Sequence, residues 1–138
     1  MIRRQKEPRW LDRAMVVAIH ADQIRQHGGL HGVRDAAVLE SALARAKNRW
    51  HYDAEVELHD LAASYGFGLT RNHPFMDGNK RIALTIAAVF LELNGFSLDA
   101  TEAEAVLMYR QLAAGTLTED ELAIWIRDSS IPSGRLHP

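Results

Sequence analysis

The sequence predicts a single all-α domain, a compact bundle of about six helices around a central apolar one. Three observations predict it. Apolar residues recur at three- and four-residue spacing along most of the 138 residues, no stretch alternates apolar and polar residues as a half-buried strand does, and two capping boxes punctuate the C-terminal third. With 47% hydrophobic and 25% charged residues, a chain of this length has the composition of one ordinary domain that buries roughly two thirds of its unfolded surface. Residues 1–128 are assigned to this domain and 129–138 to a loose tail, because the end is rich in breakers and has no period.

From Leu11 to His27 the apolar positions Leu11, Ala14, Met15, Ala18, Ile19 and Ile24 follow helical spacing, and Gly28-Gly29 stops the helix. Asp35 caps a second helix through Leu39, Leu43 and Ala46 that frays near Trp50. Asp53 is the candidate cap of a third, with Leu58, Leu61, Ala62, Tyr65 and Leu69 on one stripe and Pro74 beyond its end. The run Arg81–Leu93 is apolar on nearly every face and is the helix expected at the centre; Asn94-Gly95 closes it. Thr101 to Glu104 and Thr118 to Glu121 open the fifth and sixth helices, and a short extended piece near Phe96-Ser97-Leu98 is the most strand the chain offers.

Sixteen Lys and Arg against eighteen Asp and Glu give a net charge of −2, so no global field draws in nucleic acid or an anionic membrane. No apolar run reaches the roughly 20 residues that span a bilayer, and no signal core follows the N-terminus. The expectation is a cytoplasmic protein with no membrane partner and no direct nucleic-acid partner; Arg3, Arg4, Lys6, Arg9 and Arg13 read as a solvated end. With no cysteine, catalysis falls to His, carboxylates, Lys, Arg or hydroxyls.

The segment Arg71–Arg81 delivers a polar loop straight into the most apolar helix. Free N–H groups at the helix start and the Gly78 bend form a nest for anions, with Lys80 and Arg81 beside it, and phosphate is the obvious guest. Asp77 offers a hard oxygen ligand for magnesium, which takes one or two protein carboxylates and completes its shell with phosphate and water. His73 has the pKa range of a general base, and Phe75 can pin the loop to the core. Singly, each residue has a bland reading as turn chemistry or solvated charge. Together they do not, since cations at the positive end of a helix dipole cost stability unless an anion offsets them.

His73-Pro74-Phe75-Met76-Asp77-Gly78-Asn79-Lys80-Arg81 resembles the loop of the Fic/Doc superfamily, H-x-F-x-(D/E)-G-N-G-R-x-x-R, and matches throughout the pattern of its Doc branch, H-x-F-x-D-(A/G)-N-K-R. Gly28-Gly29-Leu30 with Gly32 and the helix end Leu91–Gly95 extend the resemblance to about residues 20–128. It implies an all-helical toxin of a type II toxin–antitoxin pair that uses ATP and Mg2+ to modify a protein hydroxyl; in the Doc branch the target is elongation factor Tu, whose phosphorylation stops translation. By the same resemblance His73 takes the hydroxyl proton, Asp77 holds the metal, Gly78, Asn79, Lys80 and Arg81 bind phosphate, and Arg71 assists.

Lys80 stands where the Fic pattern has its second glycine and Leu84 where it has its second arginine, and both changes undercut AMP transfer. Phosphate transfer is therefore the first reading and AMP transfer the alternative. Gly78 replaces an alanine and Thr85 an asparagine of the Doc branch. No stretch fits the inhibitory pattern (S/T)-x-x-x-E-(G/N) found in many Fic enzymes, so inhibition is expected from a separate Phd-like antitoxin.

Other readings stay open. His59-Asp60 is the dipeptide of metal phosphohydrolases of the HD type, although no partner His and Asp complete that site. His20, His27, His31, His51 and His137 read as scattered surface or capping residues. Trp10, Trp50 and Trp125 read as core or groove aromatics. Residues 50–54 are a candidate for the flap by which Fic-like proteins align a target segment. A non-catalytic helical module that binds a partner is the reading from another class.

Overall fold

Side-chain caps set most of the helix starts in the computed structural model, which describes residues 6–133. Asp12 accepts the Met15 N–H and opens α1 (Arg13–His27), and Asp35 accepts the Val38 N–H and opens α2 (Ala36–Tyr52). Then come α3 (Leu58–Asn72), α4 (Asn79–Leu93), the strand β1 (Phe96–Leu98), α5 (Glu102–Ala114), α6 (Glu119–Ser129) and β2 (Ser130–Pro132). Reciprocal capping boxes head α5 (Thr101 with Glu104) and α6 (Thr118 with Glu121), as their spacing predicts. The architecture is the six-helix all-α bundle that the periodicity predicts. None of the described helices is long and apolar enough to cross a membrane.

Several local expectations are corrected. The helix α2 does not fray at Trp50: the indole is buried and meets Trp10 edge-on, with ring centroids 6.4 Å apart, which holds the last turn through Tyr52 on the core. Trp50, His51 and Tyr52 are thus helix, and residues 50–54 form no strand-like flap. Asp53 ends α2 through its N–H to the Arg49 carbonyl, and α3 begins later, behind Glu57, whose N–H donates to Asp60 Oδ2 at 3.0 Å. The expected tail is partly ordered. Ser129 closes α6, and Ser130–Pro132 pairs antiparallel with β1, Phe96 facing Pro132 and Leu98 facing Ser130. The remaining 134–138, with His137, lie outside the described residues, as do Arg3 and Arg4.

The centre is shared by α4 and α3. The helix α4 buries Ile82, Ala83, Leu84, Ile86, Ala87, Phe90 and Leu91. The helix α3 packs on α2, α4, α5 and α6 at once and is buried continuously from Leu61 to Gly66. Its small residues permit this closeness: a Cβ on Gly68 would sit 3.3 Å from the Ala42 carbonyl oxygen of α2.

From Pro8 onward the N-terminal backbone docks on the core, while the Arg9 and Arg13 side chains stay exposed as expected. Asn94 brackets Arg9, accepting its N–H at 2.8 Å and donating to its carbonyl at 3.1 Å, and Trp10 stacks on Phe90 at 5.9 Å. The buried Leu11 N–H donates to the Tyr65 hydroxyl at 3.1 Å.

Burial pushes that hydroxyl from 10.0 up to about 12. The folded state therefore favours the neutral phenol, so its contribution to stability is complete below the unfolded value near 10 and is lost as the pH climbs to about 12. Tyr65→Phe strands the Leu11 N–H and is expected to cost about 1–3 kcal/mol near neutral pH. The same substitution flattens the alkaline decline of stability over that window; urea unfolding across the pH range reads both effects.

Candidate active site

Between α3 and α4 the chain turns within residues 73–78, and nearly every polar group of that turn is tied to another element. His73 closes α3 at φ 49 and ψ 56, a left-handed conformation disfavoured for a non-glycine residue and doubly so before Pro74. Arg34 holds it there. The guanidinium Nε donates to the His73 carbonyl at 2.8 Å and Nη2 to the Asn72 carbonyl at 3.1 Å, a cation placed at the negative end of the α3 dipole.

The same short stretch before α2 pairs with the turn through its backbone. The Arg34 and Asp35 N–H groups both donate to the Pro74 carbonyl, Met76 N–H donates to the Gly32 carbonyl at 3.0 Å, and Val33 pairs with Phe75. Phe75 is 1% exposed and belongs to the hydrophobic core beneath the loop. Both polar ends of the Asn79 side chain close on its backbone, Oδ1 accepting the Phe75 N–H at 2.9 Å and Nδ2 donating to the Phe75 carbonyl at 3.0 Å.

Above the turn lies a cleft of about 1060 Å3 floored by the loop and walled by the end of α1 and by α5. His73, Phe75, Asp77, Gly78, Asn79, Lys80 and Arg81 all line it. Arg71 does not. It sits over the Phe67 ring, 5.4 Å from the centroid, so the structure does not bring it together with the loop residues at the cleft. The Asn79 side chain is spent on the loop, which leaves its backbone N–H as its contribution to an anion site.

That site is the head of α4. Its N-cap is Gly78 at φ 74, with no side-chain cap and no acidic residue in the first turn. The first helical hydrogen bond runs from Ile82 N–H to the Gly78 carbonyl, which leaves the N–H groups of Asn79, Lys80 and Arg81 without protein acceptors. Lys80 and Arg81 are exposed and join no ion pair among the described residues. Asp77 Oδ1 accepts the Gly78 N–H at 2.9 Å and Oδ2 the Leu30 N–H at 3.3 Å. A carboxylate has about four acceptor positions, so two remain for a cation. The donor set suits a hard ion that completes its shell with phosphate and water.

Four further residues belong to the cleft or its support, and the sequence reading missed them. His20, grouped there with the scattered histidines, is 2% exposed, and its Nε2 lies 2.7 Å from the Asp77 carbonyl oxygen. Its spacing carried the signal: it stands four residues from both Val16 and Ile24, on the buried stripe of α1. His27 and Gln23 line the wall; Gln23 Nε2 donates to Thr85 Oγ1 at 2.6 Å, and Gln23 Oε1 is buried with no protein donor. Tyr109 of α5 donates to the Arg81 carbonyl at 2.7 Å, its hydroxyl pushed far above its ordinary range by burial. The dipeptide His59-Asp60 lies outside the cleft, clustered with Glu57 at the head of α3, and no further ligand joins that cluster among the described residues.

Comparison with known proteins identifies the family. The model of the Fic/DOC family matches residues 10–91. The protein named "Protein kinase doc" of Escherichia phage P1 is 36% identical over 80 residues, 58% of this chain and 64% of that protein. "Toxin Doc" of Mycolicibacterium smegmatis is 43% identical over 74 residues, 53% of this chain and 57% of that protein. The matched stretch thus covers less than two thirds of either relative.

Lys80 sits where a cation costs stability. Removing a cation from the positive end of α4 relieves about 0.3–1 kcal/mol of dipole repulsion. Lys80→Ala is therefore expected to unfold at a slightly higher temperature than the unmodified chain, as thermal unfolding will read.

Proposed function

The chain belongs to the Fic/DOC family, and on that premise we propose that it is the toxin of a toxin–antitoxin pair, an enzyme that transfers the γ-phosphate of ATP to a hydroxyl of a protein target. Elongation factor Tu is the proposed target, with arrest of translation as the consequence. One observation carries the reading: a histidine, a carboxylate and an uncapped, cationic helix head converge on a single cleft. A protein kinase and a toxin among the similar proteins support it.

In this mechanism the N–H groups of Asn79, Lys80 and Arg81, with the two cationic side chains, bind the phosphates of ATP. His73 accepts the proton of the target hydroxyl. The freed oxygen bonds to the γ-phosphorus while the bond to the bridging oxygen of the β-phosphate breaks, and ADP leaves with that electron pair. Asp77 would hold Mg2+, which when bound neutralises charge on the phosphate oxygens. Arg34 keeps His73 at the cleft through its backbone, so the base is aimed by the fold rather than by its own rotamer alone.

Two features favour phosphate over AMP transfer. Leu84, at the place of the second Fic arginine, is an uncharged side chain only 8% exposed, so it offers the phosphates nothing. Lys80 puts a long cation where a glycine would leave backbone room. A separate Phd-like antitoxin would then supply the inhibition for which this chain carries no motif.

The test is the intact mass of elongation factor Tu after incubation with the chain, ATP and Mg2+, beside the His73→Ala variant. The expected result is the mass of one phosphoryl group with the unmodified chain and none with His73→Ala, while ATP binding to the variant persists. A gain of one AMP would overturn the kinase reading, and no gain at all would overturn the target. Expression without the antitoxin is expected to halt growth, and His73→Ala to abolish the halt; a binding module would stay equally toxic.

A further inference from the structure

We propose that His20 is a positioning residue that sets the plane of the peptide joining Asp77 to Gly78 and, through that plane, the carboxylate of Asp77. The inference rests on the reading of Asp77 as the metal ligand and extends it to a residue outside the loop motif.

The Asp77 carbonyl can only accept, so the 2.7 Å contact requires the proton on His20 Nε2. The imidazole has little freedom to leave. It is almost fully buried between Val16 and Ile24 on α1 and lies flat on Phe75, with centroids 3.8 Å apart and planes 11° from parallel. On the far side of the same peptide the Gly78 N–H donates to Asp77 Oδ1 at 2.9 Å.

A peptide unit is planar, with its C=O and N–H opposed, so fixing the carbonyl fixes the direction of the N–H. Glycine leaves this plane unusually free. At φ 74 Gly78 sits in a region from which it can rotate at little steric cost, and no side chain of its own resists. His20 supplies the missing resistance: with its donor in place a flip of the peptide would break two hydrogen bonds at once. The carboxylate then stays on the cleft side, with Leu30 N–H on Oδ2 as its second tether. Partners behind a metal ligand typically carry about 10–100-fold in metal affinity.

Three measurements test this. In the unmodified, metal-free chain, ring-nitrogen NMR should find His20 as the Nε2–H tautomer; the Nδ1–H tautomer would overturn the proposal whether or not any variant folds. His20→Phe keeps a ring on Phe75 and removes the donor, and His20→Gln keeps a donor and removes the ring. In metal-free protein the Gly78 amide should exchange with solvent about tenfold faster in the Phe variant, with most of the protection regained in the Gln variant. Mn2+ binding in the presence of ATP, followed by electron paramagnetic resonance, should weaken about 10–100-fold in the Phe variant and recover in the Gln variant. Unaltered exchange and unaltered Mn2+ affinity in His20→Phe would overturn the proposal. Should Gly78 respond while the unmodified chain binds no Mn2+, Asp77 falls as a metal ligand, and with it the metal half of the proposal.

Discussion

Six residues carry the chain from the end of one core helix to the head of another, and every buried backbone group in those six needs a partner. The constraint is severe because the turn cannot simply stay in water: Pro74 and Phe75 are buried, and α3 and α4 continue on either side as the centre of the domain. Partners come from three places. Arg34 and its neighbours serve the carbonyls at the entry, the Asn79 side chain takes both backbone groups of Phe75, and His20 takes the carbonyl at the exit. Loss of the Asn79 or His20 partner leaves an unpaired group at a part-buried position, so the position of the loop and the packing around it are linked.

The features that cost stability gather in this turn: a left-handed histidine before a proline, a helix head with no cap, and two cations at the positive end of a dipole. A domain tolerates them when enough apolar surface is buried nearby, and α4 buries Phe90, Ile82, Ile86 and Leu91 immediately beyond. Local rules broken together, at the mouth of a cleft, mark a site kept for binding rather than for folding.

Much of this was legible in the sequence because the signals were local. Caps at Asp35, Thr101 and Thr118 announced helix starts, and the loop motif packed into one turn the residue types that the structure places on the cleft. What escaped depended on pairing across distance. Arg34 and His20 act on atoms 39 and 57 residues away, and no period links them to the loop. The order at Ser130–Pro132 likewise comes from β1, since a three-residue segment has no preference strong enough to declare itself. The sequence shows α3 as one apolar stripe, while the burial of its other faces rests on Ala63, Ser64, Gly66, Gly68 and Thr70, which raise little hydrophobic signal.

The wall of the cleft departs from the Doc pattern at one position and supplies an amide from another. Thr85 stands where the Doc pattern has an asparagine, a change that on its own removes an amide from α4. In the structure Gln23 of α1 reaches the Thr85 hydroxyl at 2.6 Å, and that hydroxyl lies 3.1 Å from the Arg81 carbonyl. Gln23 Nε2 stands as the donor to the Thr85 hydroxyl, which donates in turn to the Arg81 carbonyl, and Gln23 Oε1 is the end without a donor among the described residues. An amide therefore persists at this point of the wall, carried by a different helix and offering an acceptor. The chemistry of the cleft belongs to the arrangement of groups around it, and the loop motif is one contributor among several helices that hold them in place.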